Sequence, residues 1–139
     1  MKRASMQQAL IDSSVVLDVL TRDPAFFTRS KETLVRWGSS HELSINAVVY
    51  SEVSVGFRTI ELLEATLSGA GFILREIPRE ALFLAGKAFV AYRRRGGQRA
   101  SPLPDFFIGA HAAVERLPLL TRDPARIRAE FPTVEIVEP

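Results

Sequence analysis

Short, largely apolar runs alternate with longer segments of helical period along the chain, and this alternation constrains the fold more than any other feature of the sequence. The apolar runs predict strands that are buried on both faces, while the segments between them are long enough to form helices. The predicted strands are residues 9–11, 43–45, 72–74, 119–121 and 134–137. A parallel sheet covered by helices satisfies this pattern, so the predicted fold class is α/β.

Capping and breaking residues predict where the helices begin and end. Ser13 and Ser14 are placed to cap a first helix, and Asn46 is placed to cap the helix after the second strand. Proline at the first helical position predicts further helix starts at Pro24 and Pro124. The predicted helices are residues 15–20, 24–37, 47–57, 60–67, 79–92 and 105–115, with a short one beginning at 124. A chain of 139 residues suits one domain, and the first six residues are interpreted either as part of it or as a disordered extension.

Composition narrows the kinds of site that the chain can hold. It contains no cysteine and only two histidines, so disulfides and thiolate metal sites are excluded and a metal must be held by oxygen. We expect His111 to be a packing or surface residue of its helix rather than a general base. No segment has the pattern of a signal peptide or a transmembrane span, so we expect a cytoplasmic protein with no membrane partner.

Two aspartates follow predicted strands at the end where parallel sheets place their functional groups. Asp12 comes directly after the first strand, and Asp123 comes shortly after the fourth. Because the carboxyl ends of parallel strands meet at one edge, the two are expected to lie side by side. Each has an alternative role as a helix N-cap. The hexapeptide Leu-Thr-Arg-Asp-Pro-Ala occurs at 20–25 and again at 120–125, and since the earlier copy follows a helix, we interpret Asp23 as the structural counterpart of Asp123.

Two further acids lie on predicted helices. Glu52 has Val48, Val49 and Val55 three or four residues away, and a charged carboxylate on such an apolar face is costly unless it is paired, hydrated or bound to a cation. A glutamate that turns outward or pairs with an arginine is the alternative. Asp105 stands in the first turn of its helix, where the helix dipole alone would explain it.

Together the four acids predict a site for a hard divalent cation. Mg²⁺ and Mn²⁺ prefer oxygen ligands, and Mg²⁺ commonly binds through a few carboxylates together with a substrate phosphate while retaining several waters. Two such ions can activate water and stabilise the leaving oxygen of a phosphodiester. The predicted metal-binding and catalytic residues are Asp12, Glu52, Asp105 and Asp123.

A locally basic stretch is the candidate substrate-binding segment. No acidic residue occurs between Glu80 and Asp105, whereas Lys87 and four arginines do. Phosphate contacts dominate nucleic-acid affinity, and the adjacent Gly96 and Gly97 suit a loop that adapts to an RNA backbone. A solvated helix end, whose cations favour the C-terminal dipole, is the alternative. The predicted RNA contacts are Arg93, Arg94, Arg95 and Arg99.

Four motifs resemble those of the PIN domain family. The sequence LIDSSV at 10–15 resembles the family's first strand ending in Asp, and VYSEV at 49–53 is similar to its helical Glu segment. The sequence PDFFIGAHA at 104–112 resembles the third-acid motif and is the most specific of the four, while LTRD at 120–123 resembles the fourth. Their order and spacing fit the family over nearly the whole chain.

The resemblance implies a PIN-like three-layer α/β/α sandwich with a central parallel sheet, and Mg²⁺- or Mn²⁺-dependent endoribonuclease activity around the four acids. For VapC-like toxins of VapBC-like toxin–antitoxin pairs, it further implies a homodimer neutralised by a small antitoxin of the VapB type, whose C-terminal segment blocks the acidic site. Many relatives carry Asn where this chain has Ser14. A hydroxyl can still bond a carboxylate or water, so Ser14 and Thr121 are predicted to support the acids.

Two other kinds of function stay open on the sequence alone. The same acids could serve a metal-dependent DNA nuclease or phosphatase, or the chain could be a catalytically silent α/β interaction module. A receiver-like module is disfavoured because no lysine follows Asp123. A phosphotransferase of the DxD type is disfavoured because residue 14 is serine.

Overall fold

Five short parallel strands form the sheet of the computed structural model, which describes residues 6–97 and 103–139. The strands are β1 (Gln7–Ile11), β2 (His41–Ile45), β3 (Phe72–Leu74), β4 (Leu119–Leu120) and β5 (Ile136–Val137). They pair in the order β3-β2-β1-β4-β5, and every pairing is parallel. The predicted α/β class with a parallel sheet is confirmed.

Seven helices among the described residues flank this sheet. They are α1 (Ser13–Leu20), α2 (Phe27–Gly38), α3 (Ala47–Ser54), α4 (Ile60–Gly69), α5 (Arg79–Arg94), α6 (Leu103–Glu115) and α7 (Ala125–Glu130). Within residues 6–97 and 103–139, no helix is long and apolar enough to cross a membrane.

The strand order places a topological switch point between β1 and β4. The chain moves outward from β1 through β2 to β3, and then returns to the other side of β1 to form β4 and β5. In open parallel sheets, connections on the two sides of such a point cover opposite faces, and a crevice opens at the carboxyl ends of the two strands. Asp12 follows β1 and Asp123 follows β4, so both lie at this crevice.

The core fixes the helix that carries Asp105. Phe106, the next residue of α6, is fully buried, and its ring lies 5.4 Å from that of Phe89 and 6.1 Å from that of Phe131. A Cβ at Gly109 would overlap the Phe131 ring, so this glycine allows the end of α7 to pack closely on α6. The position of Asp105 is therefore set by buried aromatic contacts one residue away.

Several predicted boundaries differ from the structure for identifiable reasons. Ser13 and Ser14 are not caps: Asp12 takes the N-cap position of α1, and the serines lie in its first turn. The second helix begins at Phe27 rather than at Pro24, because the Asp23 carboxylate accepts from the backbone N–H groups of Ala25 and Phe26 and forms a turn first. The predicted Asn46 cap is confirmed, since its side chain accepts from the backbone N–H groups of residues 48 and 49.

Candidate active site

Asp12 is held at the end of β1 by two hydroxyl groups. Its backbone N–H donates to the Leu120 carbonyl at 2.9 Å, which continues the pairing of β1 with β4. Its Oδ2 accepts from Ser14 Oγ at 2.6 Å and from Thr121 Oγ1 at 2.9 Å. Its side chain makes no capping bond to α1. Ser14 and Thr121 thus contact the first acid from a helix and from the neighbouring strand end.

Asp123 lies just beyond β4 and differs from its counterpart in the repeated hexapeptide. The backbone N–H of Asp123 donates to Thr121 Oγ1 at 3.0 Å, so the same hydroxyl contacts Asp12 and Asp123. The Asp23 carboxylate accepts two backbone N–H groups, whereas α7 begins without a side-chain cap. The capping explanation therefore holds for Asp23 and not for Asp123.

Glu52 is half-buried on α3 and turns toward α1. Its Oε1 accepts from Ser13 Oγ at 2.9 Å. Val49 is buried, but Val55 is 86% exposed, so the predicted apolar face around Glu52 is wrong on one side. The reason is that α3 ends at Ser54, before that residue.

Asp105 is paired with an arginine that was not predicted from the sequence. Arg126 Nη1 donates to Asp105 Oδ2 at 2.9 Å, and the Arg126 guanidinium lies 5.6 Å from the centroid of the Tyr92 ring. Arg126 belongs to the first turn of α7 and follows Asp123 by three residues. A basic residue one turn after an acid at the end of a strand was the signal available in the sequence.

The four acids form one electrostatic group. Burial is the main reason that the pKa of Glu52 is raised; the Ser13 hydrogen bond opposes this increase, and the charges of Asp12 and Asp105 add to it. Burial also raises the pKa of Asp105, and the charges of Asp12 and Asp123 add to it while Arg126 opposes it. Each predicted acid is therefore near enough to at least one other to affect its ionisation.

This donor set fits a hydrated hard cation better than a closed cage. Among the described residues, no three acidic or histidine side chains are arranged to enclose a metal ion as they stand. The carboxylates repel one another, and three of them are bonded to Ser13, Ser14, Thr121 or Arg126. Mg²⁺ retains several waters and binds through one or two carboxylates, so it needs no closed set of ligands. The all-oxygen chemistry of the group suits such an ion.

The predicted RNA-binding arginines do not share one environment. Arg93 and Arg94 are exposed in the last turn of α5. Arg95 forms an ion pair with Glu130, its Nη2 lying 2.7 Å from both carboxylate oxygens. Arg99 lies outside the described residues. Three of the four arginines are therefore exposed next to the segment that leads to α6, and one of these, Arg95, is already paired.

His111 has a structural environment, as expected. It is fully buried, with Nδ1 3.2 Å from Asn46 Nδ2 and Nε2 2.6 Å from Glu115 Oε1. Asn46 uses its side-chain oxygen to cap α3, so its amide nitrogen faces the ring and Nδ1 must accept. His111 thus connects α6 with the start of the helix that carries Glu52.

Comparison with solved structures finds the same fold in complexes of toxin–antitoxin systems. VapBC2 from Rickettsia felis bound to a promoter DNA fragment superposes with a TM-score of 0.73 at 14% identity, covering 95% of this chain and 98% of that one. DNA-bound VapBC from Salmonella typhimurium gives 0.69 at 17% identity, covering 96% and 98%. A toxin–antitoxin complex from Klebsiella pneumoniae gives 0.64 at 23% identity, covering 94% and 96%.

Sequence comparison assigns the family independently of the fold. No curated protein matches this chain. The sequence model of the PIN domain matches residues 9–131, a range that includes all four acids. The chain therefore belongs to the PIN domain family.

Proposed function

We propose that this protein is a divalent-metal-dependent endoribonuclease whose site is formed by Asp12, Glu52, Asp105 and Asp123. The observation that carries the proposal is the contact of both Asp12 and Asp123 with the Thr121 hydroxyl at the crevice between β1 and β4; the charges of neighbouring acids, which help to raise the pKa of Glu52 and Asp105, support it. Membership of the PIN family supports it, because PIN domains are generally nucleases that use divalent metals. Mg²⁺ or Mn²⁺ is the proposed cofactor.

Four side chains next to the acids orient them or balance their charge. Ser14 and Thr121 orient the carboxylate of Asp12 through Oδ2. Ser13 orients Glu52, and Arg126 balances the charge of Asp105. When bound, the cation supplies Lewis-acid chemistry, lowering the pKa of water and neutralising charge on the phosphodiester. Asp12, Glu52, Asp105 and Asp123 would hold that cation through their carboxylate oxygens.

A substrate panel tests this activity. Purified protein is incubated with single-stranded RNA, DNA of the same sequence and a phosphomonoester, each with Mg²⁺, with Mn²⁺ and with EDTA. We expect internal cleavage of RNA with either metal and no cleavage in EDTA. Cleavage of DNA, or release of phosphate from the monoester, at a rate equal to or above that for RNA would assign the site to a different hydrolase. No reaction with any substrate would favour a silent interaction module.

Exposed arginines at the end of α5 are proposed to contact the RNA backbone, together with Arg99. Replacing Arg93 and Arg94 by glutamine should weaken RNA binding and reduce its salt dependence, because each phosphate of single-stranded RNA that is neutralised contributes about 0.7 to the slope of log affinity against log salt. Arg95→Gln should change the slope less, since Arg95 is already paired with Glu130. Equal slopes for wild type and the double variant would assign these arginines to solvent. Fluorescence anisotropy across a salt series measures the slopes.

We further propose that the protein is the toxin of a VapBC-like pair, acting in the cytoplasm as a homodimer and neutralised by a small antitoxin of the VapB type. The shared fold with the VapBC complexes supports this assignment. Exposed apolar side chains support an interface: Ile60 and Leu62 on α4, and Leu82 and Phe83 on α5, are between 44% and 68% exposed. Light scattering coupled to size-exclusion chromatography should give twice the mass of the chain, and a monomer at micromolar concentration would contradict the dimer.

A further inference from the structure

An acid outside the proposed site is buried and paired with the segment that leads from β4 to α7. Asp18 on α1 is 2% exposed. Its Oδ1 accepts from Arg122 Nη2 at 2.8 Å, and its Oδ2 accepts from Arg122 Nε at 2.9 Å. Ser30 Oγ on α2 donates to the same Oδ2 at 2.7 Å. The carboxylate is thus fully engaged by a two-pronged arginine and a hydroxyl.

Arg122 lies between two residues of the acid site. Thr121, which precedes it, donates a hydrogen bond to Asp12, and Asp123, which follows it, is one of the four acids. The backbone N–H of Arg122 donates to Ser14 Oγ at 3.1 Å, and that hydroxyl donates in turn to Asp12. A displacement of Arg122 would therefore disturb Asp12 in two ways, through Thr121 and through Ser14.

The ion pair anchors this segment from outside the acid group. Among the described residues, the other side-chain hydrogen bonds of residues 121–123 run to Asp12, to Ser14 or within the segment, which are the groups that have to be positioned. The Arg122 side chain instead reaches Asp18, and its guanidinium lies 4.1 Å from the centroid of the Phe26 ring. The segment is thus held by α1 and by the residue that precedes α2, neither of which carries any of the four acids.

We infer that Asp18 and Arg122 are positioning residues for the acid site, and that their ion pair fixes residues 121–123 so that Asp12 and Asp123 can act on one cation. The inference rests on the proposed metal-dependent function. A pair of this kind has a second possible role, which is to stabilise the fold and nothing else. Buried ion pairs are often replaceable by apolar residues without loss of stability, so the two roles can be separated.

Arg122→Lys keeps the charge but loses the planar two-pronged geometry. We expect it to raise the Kd for Mn²⁺, measured by calorimetric titration of the full chain, by roughly 10- to 100-fold, the range seen when supporting groups around metal ligands are removed. Arg128→Lys is the matched control, because Arg128 pairs with Glu138 on the surface, with both side chains about half exposed. That control should leave the Kd unchanged.

Hydrogen exchange gives a readout that needs no metal. In Arg122→Lys the backbone amides at positions 122 and 123 should exchange faster relative to those of Leu10 and Ile11 in β1, since their bonds to Ser14 and Thr121 are loosened locally. A parallel increase at all four amides would indicate global destabilisation alone and would count against the positioning role. This measurement decides that role even where the wild type fails to bind Mn²⁺, a result that would count against the proposed function instead.

A double variant, Asp18→Leu with Arg122→Met, covers the case in which the single variant fails to fold. It removes both charges and fills the site with apolar atoms, so it should fold while still binding Mn²⁺ at least tenfold more weakly than wild type. Wild-type Mn²⁺ affinity together with wild-type exchange at Arg122 and Asp123 in this variant would overturn the inference and leave a pair that serves stability alone.

Discussion

Induced expression of the wild-type chain without an antitoxin should arrest growth, whereas the Asp105→Asn variant should not. Asparagine keeps the shape of the side chain but removes the charge that a divalent cation requires. Metal polarisation of a phosphodiester is worth several kcal/mol, and each 1.4 kcal/mol is about a factor of ten in rate, so cleavage should fall about 100-fold or more. Growth curves after induction measure the arrest, and cleavage assays with the purified proteins measure the fall in RNA cleavage.

Asp23→Asn is the matched control for this experiment. It changes the same residue type in the same hexapeptide, but the Asp23 carboxylate caps a turn through Ala25 and Phe26, and asparagine caps nearly as well. Its toxicity should therefore equal that of wild type. Growth arrest by a soluble Asp105→Asn variant at wild-type abundance would remove Asp105 from the proposed mechanism.

The metal-free protein should melt at a higher temperature when Asp105 or Glu52 is neutralised. The pKa of each is raised in the folded state, so their charged forms are less favourable there than in the unfolded chain. Below the unfolded pKa both states are neutral and nothing is lost. The cost to stability grows as pH rises through the unfolded and then the folded pKa, and it is complete at neutral pH. Asp105→Asn loses the ion pair with Arg126. The predicted direction still holds, because the pKa of Asp105 is raised even though Arg126 opposes the increase.

Thermal unfolding in EDTA and in Mg²⁺ measures this balance. At neutral pH in EDTA, Asp105→Asn and Glu52→Gln should melt a few degrees above wild type. This difference in melting temperature should vanish at about pH 3, where the carboxyls are neutral in the folded and unfolded states. Saturating Mg²⁺ should stabilise wild type by about 2.7 kcal/mol at 100 times its Kd, and should stabilise the variants less. Asp23→Asn should match wild type in both conditions. Identical melting temperatures and identical Mg²⁺ responses for all four proteins would reduce the acids to ordinary helix residues.

Local sequence signals predicted the strands, and with them the positions of Asp12 after β1 and Asp123 after β4, because these depend on neighbouring residues. Residues 9–11 are all apolar, which predicts their burial without knowledge of their partners; they are fully buried, and Asp12 follows them directly. Asn46 caps its helix through residues only two and three positions away. The strand Phe72–Leu74 was predicted with its observed bounds because Gly71, with a φ of 84°, ends the preceding helical segment.

The Ser13 bond to Glu52 and the Arg122–Asp18 pair were not predictable in the same way, because they depend on contacts between distant parts of the chain. Arg122 and Asp18 are 104 positions apart, and Ser13 and Glu52 are 39 apart. Local capping rules therefore assigned Ser13 to the wrong role. Asp18 did carry a signal, since it is an acid within the otherwise apolar run 15–20. A charged carboxylate on an apolar face is costly unless it is paired, as argued for Glu52, and the same reasoning would have predicted a buried partner for Asp18.

Asp12, Glu52, Asp105 and Asp123 are proposed to form one divalent-metal site in this PIN domain. Anomalous scattering from Mn²⁺ in crystals of the full chain can locate a bound ion. We predict a peak at the carboxyl ends of β1 and β4, within bonding distance of oxygen atoms of at least one of these carboxylates, with Arg126 moved off Asp105, and no such peak in Asp105→Asn. A peak elsewhere on the molecule with none at this crevice, or an unchanged peak in Asp105→Asn, would show that these four acids do not form the metal site.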